Sequence, residues 1–113
     1  VQGDKNVINN MNIKDISGDY MVNVNGSNYL LTIKGKGAKQ SGSLKKGDKK
    51  VKSKFSYKDG WIHLTIMDEG YKRLIGQTIN SANVMQGTAY DEAGNKSTWS
   101  ASKKIKEKIN YLN

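Results

Sequence analysis

The chain contains no cysteine. That excludes a disulfide framework, a thiolate zinc site and a cysteine nucleophile, and it leaves the redox compartment unmarked. Proline is absent too, so every residue keeps an N–H that can join a β-ladder. No apolar run approaches the ~20 residues a membrane-spanning helix needs, so no membrane span is expected. Histidine occurs once, as His63, and arginine once, as Arg73. One imidazole with scattered carboxylates cannot supply the ligands of a transition-metal site. The acids Asp59, Asp68, Glu69, Asp91 and Glu92 fall in turn segments, where carboxylates usually satisfy backbone donors. Asp91 to Asn95 is far shorter than a calcium-binding EF-hand loop. Gly35-Lys36-Gly37 starts like a dinucleotide fingerprint, but Gln40 stands where the third glycine belongs, and no helix pattern follows to hold a phosphate. No metal, cofactor or catalytic residue is expected, and the chain reads as a non-enzyme.

What the sequence does have is lysine. Lys and Arg total 19 against 10 acids, a formal charge of +9, and every basic residue except Arg73 is lysine. Lysine is a hydrated point charge and lacks the planar fork with which arginine reads phosphates and bases. Such a surface attracts polyanions without selecting among them. The charge is concentrated: Lys34 to Asp59 contain ten lysines and only Asp48 and Asp59. Lys45, Lys46, Lys49, Lys50, Lys52 and Lys54 are therefore the candidate polyanion-binding residues of a 34–58 hairpin. Nucleic acid, anionic lipid and lipopolysaccharide all suit them. The competing account is that these lysines protect a sheet edge and keep the chain soluble.

The hydrophobic fraction is 35 % and the mean hydropathy is -0.73. A chain of 113 residues is the size of one domain, and these values call for a compact core under a polar surface. The apolar residues are spaced for strands. Tyr20, Val22 and Val24 alternate with polar neighbours, then Asn25-Gly26 offers the dipeptide of a tight hairpin turn. Tyr29, Leu31 and Ile33 continue the pattern, and a short strand is expected around Gly42 to Lys45 in the Gly- and Lys-rich stretch that follows. Val51, Ser53, Phe55 and Tyr57 face one way, and Lys52, Lys54, Ser56 and Lys58 the other. Ile62, Leu64 and Ile66 follow after Asp59-Gly60. Further strands are expected at Tyr71 to Thr78, with Gly76 at a bulge or close approach, at Val84 to Tyr90, and at Lys96 to Ser102, with Trp99 and Ala101 inward.

The expected fold is all-β: an antiparallel eight-stranded meander, closed or nearly closed into a barrel, with a short C-terminal α-helix. Residues 1–17 form an N-terminal extension packing on the barrel, 18–102 the barrel, and 103–113 the helix. In that helix Ile105, Ile109 and Leu112 make one apolar stripe.

Ser17-Gly18-Asp19-Tyr20 opens the first strand, and the Trp99 strand precedes Lys103. On these residues and on the meander layout the chain resembles the lipocalin and avidin group of small barrels, the calycins, and their compact bacterial lipocalin-like members. In that group a Gly-X-Trp opens the first strand, and a basic residue on or after the last strand packs over it. Tyr20 stands in for the Trp and Lys103 for the basic residue. The resemblance implies a non-enzymatic binding protein that takes small apolar molecules or protein partners.

Tyr20, Tyr29, Tyr57, Tyr90 and Trp99 are expected to point inward and to line a ligand-binding interior, although a barrel of this size can be filled by its own side chains. Trp61, His63 and Met67 are left for the outer face, which is compatible with a homo-oligomer. The chain starts at Val1, which fits a processed precursor, so an extracytoplasmic setting (periplasmic, cell-surface or secreted) is expected.

Overall fold

The computed structural model describes residues 15–36, 39–67, 70–79 and 83–104. Its strands are β1 (Gly18–Val24), β2 (Ser27–Lys34), β3 (Ser41–Lys46), β4 (Lys49–Val51), β5 (Ser53–Lys58), β6 (Trp61–Ile66), β7 (Lys72–Ile79), β8 (Val84–Asp91) and β9 (Lys96–Lys103). All pair antiparallel in one sheet of order β4-β3-β2-β1-β9-β8-β7-β6-β5. β1 pairs with β9, so two meanders, β1–β4 and β5–β9, share one sheet. The sheet curls until β3 lies against β5, making a nearly closed barrel.

Among the described residues the strand count is nine, not eight. The strand expected over Val51 to Tyr57 is divided at Lys52. Before Lys52 the chain pairs with β3, and after it with β6. The Lys52 carbonyl accepts the Met67 N–H at 2.8 Å, so the backbone is still hydrogen-bonded where it changes partners. The inward and outward alternation runs through the break unaltered, with Val51 and Tyr57 buried and Lys52 and Lys54 exposed. The split is a change of partner at the barrel's closing seam.

The C-terminal helix was expected to start at Lys103, but Lys103 is the last residue of β9, opposite Tyr20 in the register. The Lys104 N–H donates to the Asp19 carbonyl at 2.8 Å, so the strand connection to β1 continues there. No α-helix occurs among the described residues; 105–113 lie outside them, as do residues 1–14 of the N-terminal extension.

The inward positions form one core. Tyr20, Val22, Val24, Leu31, Ile62, Leu64, Ile66, Leu74 and Met85 are fully buried, and Tyr29, Ile33, Leu44 and Trp99 nearly so. Two glycines shape this interior. Gly76 on β7 is opposite Gly87 on β8, and Gly87 is opposite Trp99 on β9. The Trp99 ring takes the room the glycines leave: a methyl group on Gly76 would sit 2.7 Å from Trp99 Cζ2. The indole N–H donates to the Ile75 carbonyl at 3.1 Å. Gly76 is thus the close approach expected from the sequence.

The first described residues close one end of the barrel. Ile16 is fully buried, its N–H donates to Gln40 Oε1 at 2.8 Å, and its carbonyl accepts the Tyr20 hydroxyl at 2.8 Å. Gln40 is itself buried, so its amide oxygen satisfies a donor that would otherwise be lost to water.

Candidate functional site

The six candidate lysines divide into two groups. β3 and β4 pair with Lys45 opposite Lys50 and Lys46 opposite Lys49. Alternation places Lys45, Lys50, Lys52 and Lys54 on the outer wall, all exposed. Lys46 and Lys49 point the other way, towards the rim. Lys46 is half-buried, with Nζ 5.7 Å from the centre of the Tyr29 ring. It packs on the barrel mouth and does not belong to the outer row. Lys50, Lys52 and Lys54 follow one another at every second residue, ~7 Å apart along extended backbone. Lys45 widens the row by one strand. Like charges placed directly opposite in a ladder are destabilising, so this arrangement costs the isolated sheet free energy that a bound anion returns.

The five aromatic residues expected to line an interior site also divide. Tyr20, Tyr29, Tyr57 and Trp99 are buried among the core residues. Lys103 Nζ stands 6.0 Å from the Tyr20 ring centre, and a methyl group on Gly18 would meet Lys103 Cε at 2.6 Å. A basic residue of the last strand therefore does cover the first strand's aromatic residue. Burial, helped by the charge of Asp15 and by Tyr57, pushes the Tyr20 phenol up to about 12.

Tyr90 is not inward. On β8 the buried residues are Met85 and Ala89, and Tyr90 lies half-buried on the outside with the Arg73 guanidinium 5.4 Å from its ring centre. The reason is volume. Trp99 already occupies the interior at this level, so β8 presents Gly87 and Ala89 to it and turns its large ring outward. Trp61, His63 and Met67 are exposed on the outer face as expected, Trp61 at 44 %.

The Asp91–Asn95 turn uses its carboxylate internally. Asp91 Oδ1 accepts the N–H groups of Ala93 at 3.0 Å and Asn95 at 2.8 Å, and Oδ2 accepts the Asn95 amide at 3.0 Å. These donors, Asn95 foremost, hold the Asp91 carboxyl below the usual carboxylate range. No group of three or more metal-ligating side chains occurs among the described residues.

Sequence reasoning missed the grooves on the outer wall opposite the lysine row. One, of about 590 Å³, is lined by Asn23, Gln77, Gln86, Thr88, Thr98 and Ser100 among others. A second, of about 380 Å³, adjoins it and adds Trp61, Ile75 and Tyr90. Their residues come from separated strands, and only the register brings them together.

The fold is that of an all-β, nearly closed antiparallel barrel, compatible with the calycin layout. Comparison of the chain with protein families, with curated proteins and with solved structures gives no match.

Proposed function

We propose that this is a non-catalytic binding protein that captures an extended polyanion along Lys45, Lys50, Lys52 and Lys54. The observation that carries this reading is the register that sets Lys45 opposite Lys50 and continues the row through Lys52 to Lys54. The spacing along the row suits the repeating charges of an extended chain. Phe55 and Tyr57 turn inward from the same strand, so no aromatic residue of β5 is presented for bases to stack on. Recognition is therefore by charge density, without reading of sequence. In an extracytoplasmic setting, anionic lipid or lipopolysaccharide would present the same charge to the row.

A salt titration with a labelled single-stranded oligonucleotide tests the reading. Four lysine–phosphate contacts give a slope of about -2.8 in log K against log salt, or roughly a 50-fold loss of affinity between 50 and 200 mM. Replacing the four lysines by Gln should remove both the slope and the binding. If the substituted protein binds with an unchanged slope, the row is not the site. If the unmodified protein fails to bind at 50 mM, the lysines serve solubility and edge protection.

A further inference from the structure

The grooves on the other wall have a property the rest of the chain does not share. Of the 113 residues, 26 % are charged, yet among the described residues no charged side chain lines either groove. Their outward positions include a run of amides and hydroxyls in cross-strand register, beside the apolar Ile75 and Ile79 of β7. Asn23 on β1 is opposite Ser100 on β9, Ser100 opposite Gln86 on β8, and Gln86 opposite Gln77 on β7. On β6 the pairing of Ile62 with Gly76 brings Trp61 alongside Gln77. The result is a ladder of neutral polar side chains across four strands, ending at an exposed indole. Thr98 opposite Thr88 forms a second, parallel rung beside it.

We propose that this ladder binds an uncharged saccharide chain lying across the strands. Each amide carries donors and acceptors, and each hydroxyl does both, which matches a ligand whose own groups are hydroxyls. Successive rungs are ~4.8 Å apart, about the width of one pyranose ring. Trp61, 44 % exposed, offers its ring face to the C–H face of a sugar at the end of the ladder. Tyr90 flanks the second rung, its ring steadied by Arg73 at 5.4 Å. Among the described lining residues there is no cation to hold an anionic chain; Arg73 and Lys58 only flank the second groove, beside Tyr90 and opposite Trp61. An apolar ligand would cover the amides without satisfying them, which costs about 1–3 kcal/mol for each group. A neutral polyhydroxylated ligand pairs with the amides and hydroxyls of this face and lays its C–H faces on Trp61, Ile75 and Ile79.

The test uses the full chain with three neutral probes, cellohexaose, chitohexaose and maltohexaose, and a sulfated heparin hexasaccharide as a fourth. Binding is read by calorimetry and by protection of tryptophan fluorescence from a soluble quencher; Trp61 is exposed and Trp99 buried, so protection reports on Trp61. At least one neutral hexasaccharide should bind with a Kd of ~1 mM or tighter. Its affinity should be unchanged between low and high salt, and Trp61 should become protected. Gln77→Ala with Gln86→Ala should weaken it at least about tenfold at an unchanged melting temperature, and Trp61→Ala should do the same. The Lys45, Lys50, Lys52 and Lys54 to Gln protein should bind it normally. The proposal is overturned if none of the neutral probes binds, if only the sulfated probe binds, or if the amide variants bind like the unmodified protein.

Discussion

Trp99 reaches across the interior to the Gly76–Gly87 pair, and its N–H ends on the Ile75 carbonyl. Removing the ring leaves a large void beneath two residues that have no side chains to collapse into it. Trp99→Ala should therefore cost roughly 3–5 kcal/mol, read as a lower denaturant midpoint at unchanged slope. Gly87→Ala tests the neighbouring close approach of β8 to β7. A methyl group there would run into the Ile75 carbonyl oxygen and Gly76 Cα, which are backbone and cannot rotate away. A loss of about 1–3 kcal/mol or more is expected, and an unchanged midpoint would show that β7 and β8 separate easily. At this scale the sequence was informative where side chains are large and strands simple. Tyr20, Val22, Val24, Ile62, Leu64 and Ile66 announced their inward face by alternation alone. Tyr90 did not, because its orientation depends on how much space Trp99 has already taken from β8, and that lies on another strand.

At the scale of elements, the turns and hairpins carry most of the charge that can be tested. The Asp91 carboxylate accepts three hydrogen bonds within its own turn, and its pKa is lowered. A folded-state pKa below the unfolded value contributes stability above the ordinary carboxylate value of 3.8, and the contribution is lost as pH falls through the folded pKa. A series of melting curves from neutral pH down through that range should show a fall that Asp91→Asn makes shallower; identical slopes would detach the turn from acid stability. On the β3–β4 hairpin, Lys50→Glu replaces a repulsive pair with an attractive one opposite Lys45. It should raise stability by about 0.2–1 kcal/mol while weakening oligonucleotide binding. That opposition separates a residue kept for binding from one kept for the fold. The break at Lys52 was not legible beforehand, since alternation through Val51, Ser53 and Phe55 is the same for one strand as for two. The amide ladder was hidden for a related reason. Asn23, Gln77, Gln86 and Ser100 lie on four different strands, and only the register aligns them in one row.

The whole molecule is held closed at two places of different kind. At one end, Ile16 is tied between Gln40 and the Tyr20 hydroxyl. The Tyr20 pKa is raised to about 12, so its neutral form is the one the fold prefers. This contribution is complete below the phenol's ordinary value of 10.0 and disappears as pH rises through the raised folded pKa; Tyr20→Phe should flatten that alkaline loss. Along the side, β3 meets β5 without a pairing ladder, and Phe55 packs over Gly42, where a methyl group would lie 2.8 Å from its Cγ. A glycine under an aromatic ring lets the two strands approach while the ring covers the exposed backbone. Phe55→Ala should therefore open this seam before it unfolds the barrel. Amide hydrogen exchange reads the difference. Accelerated exchange confined to β3, β4 and β5, with β1, β9 and β8 still protected, is the expected pattern. Uniform acceleration over all strands would mean that closure and core form a single cooperative unit, and the Gly42–Phe55 contact would then be one core contact among many.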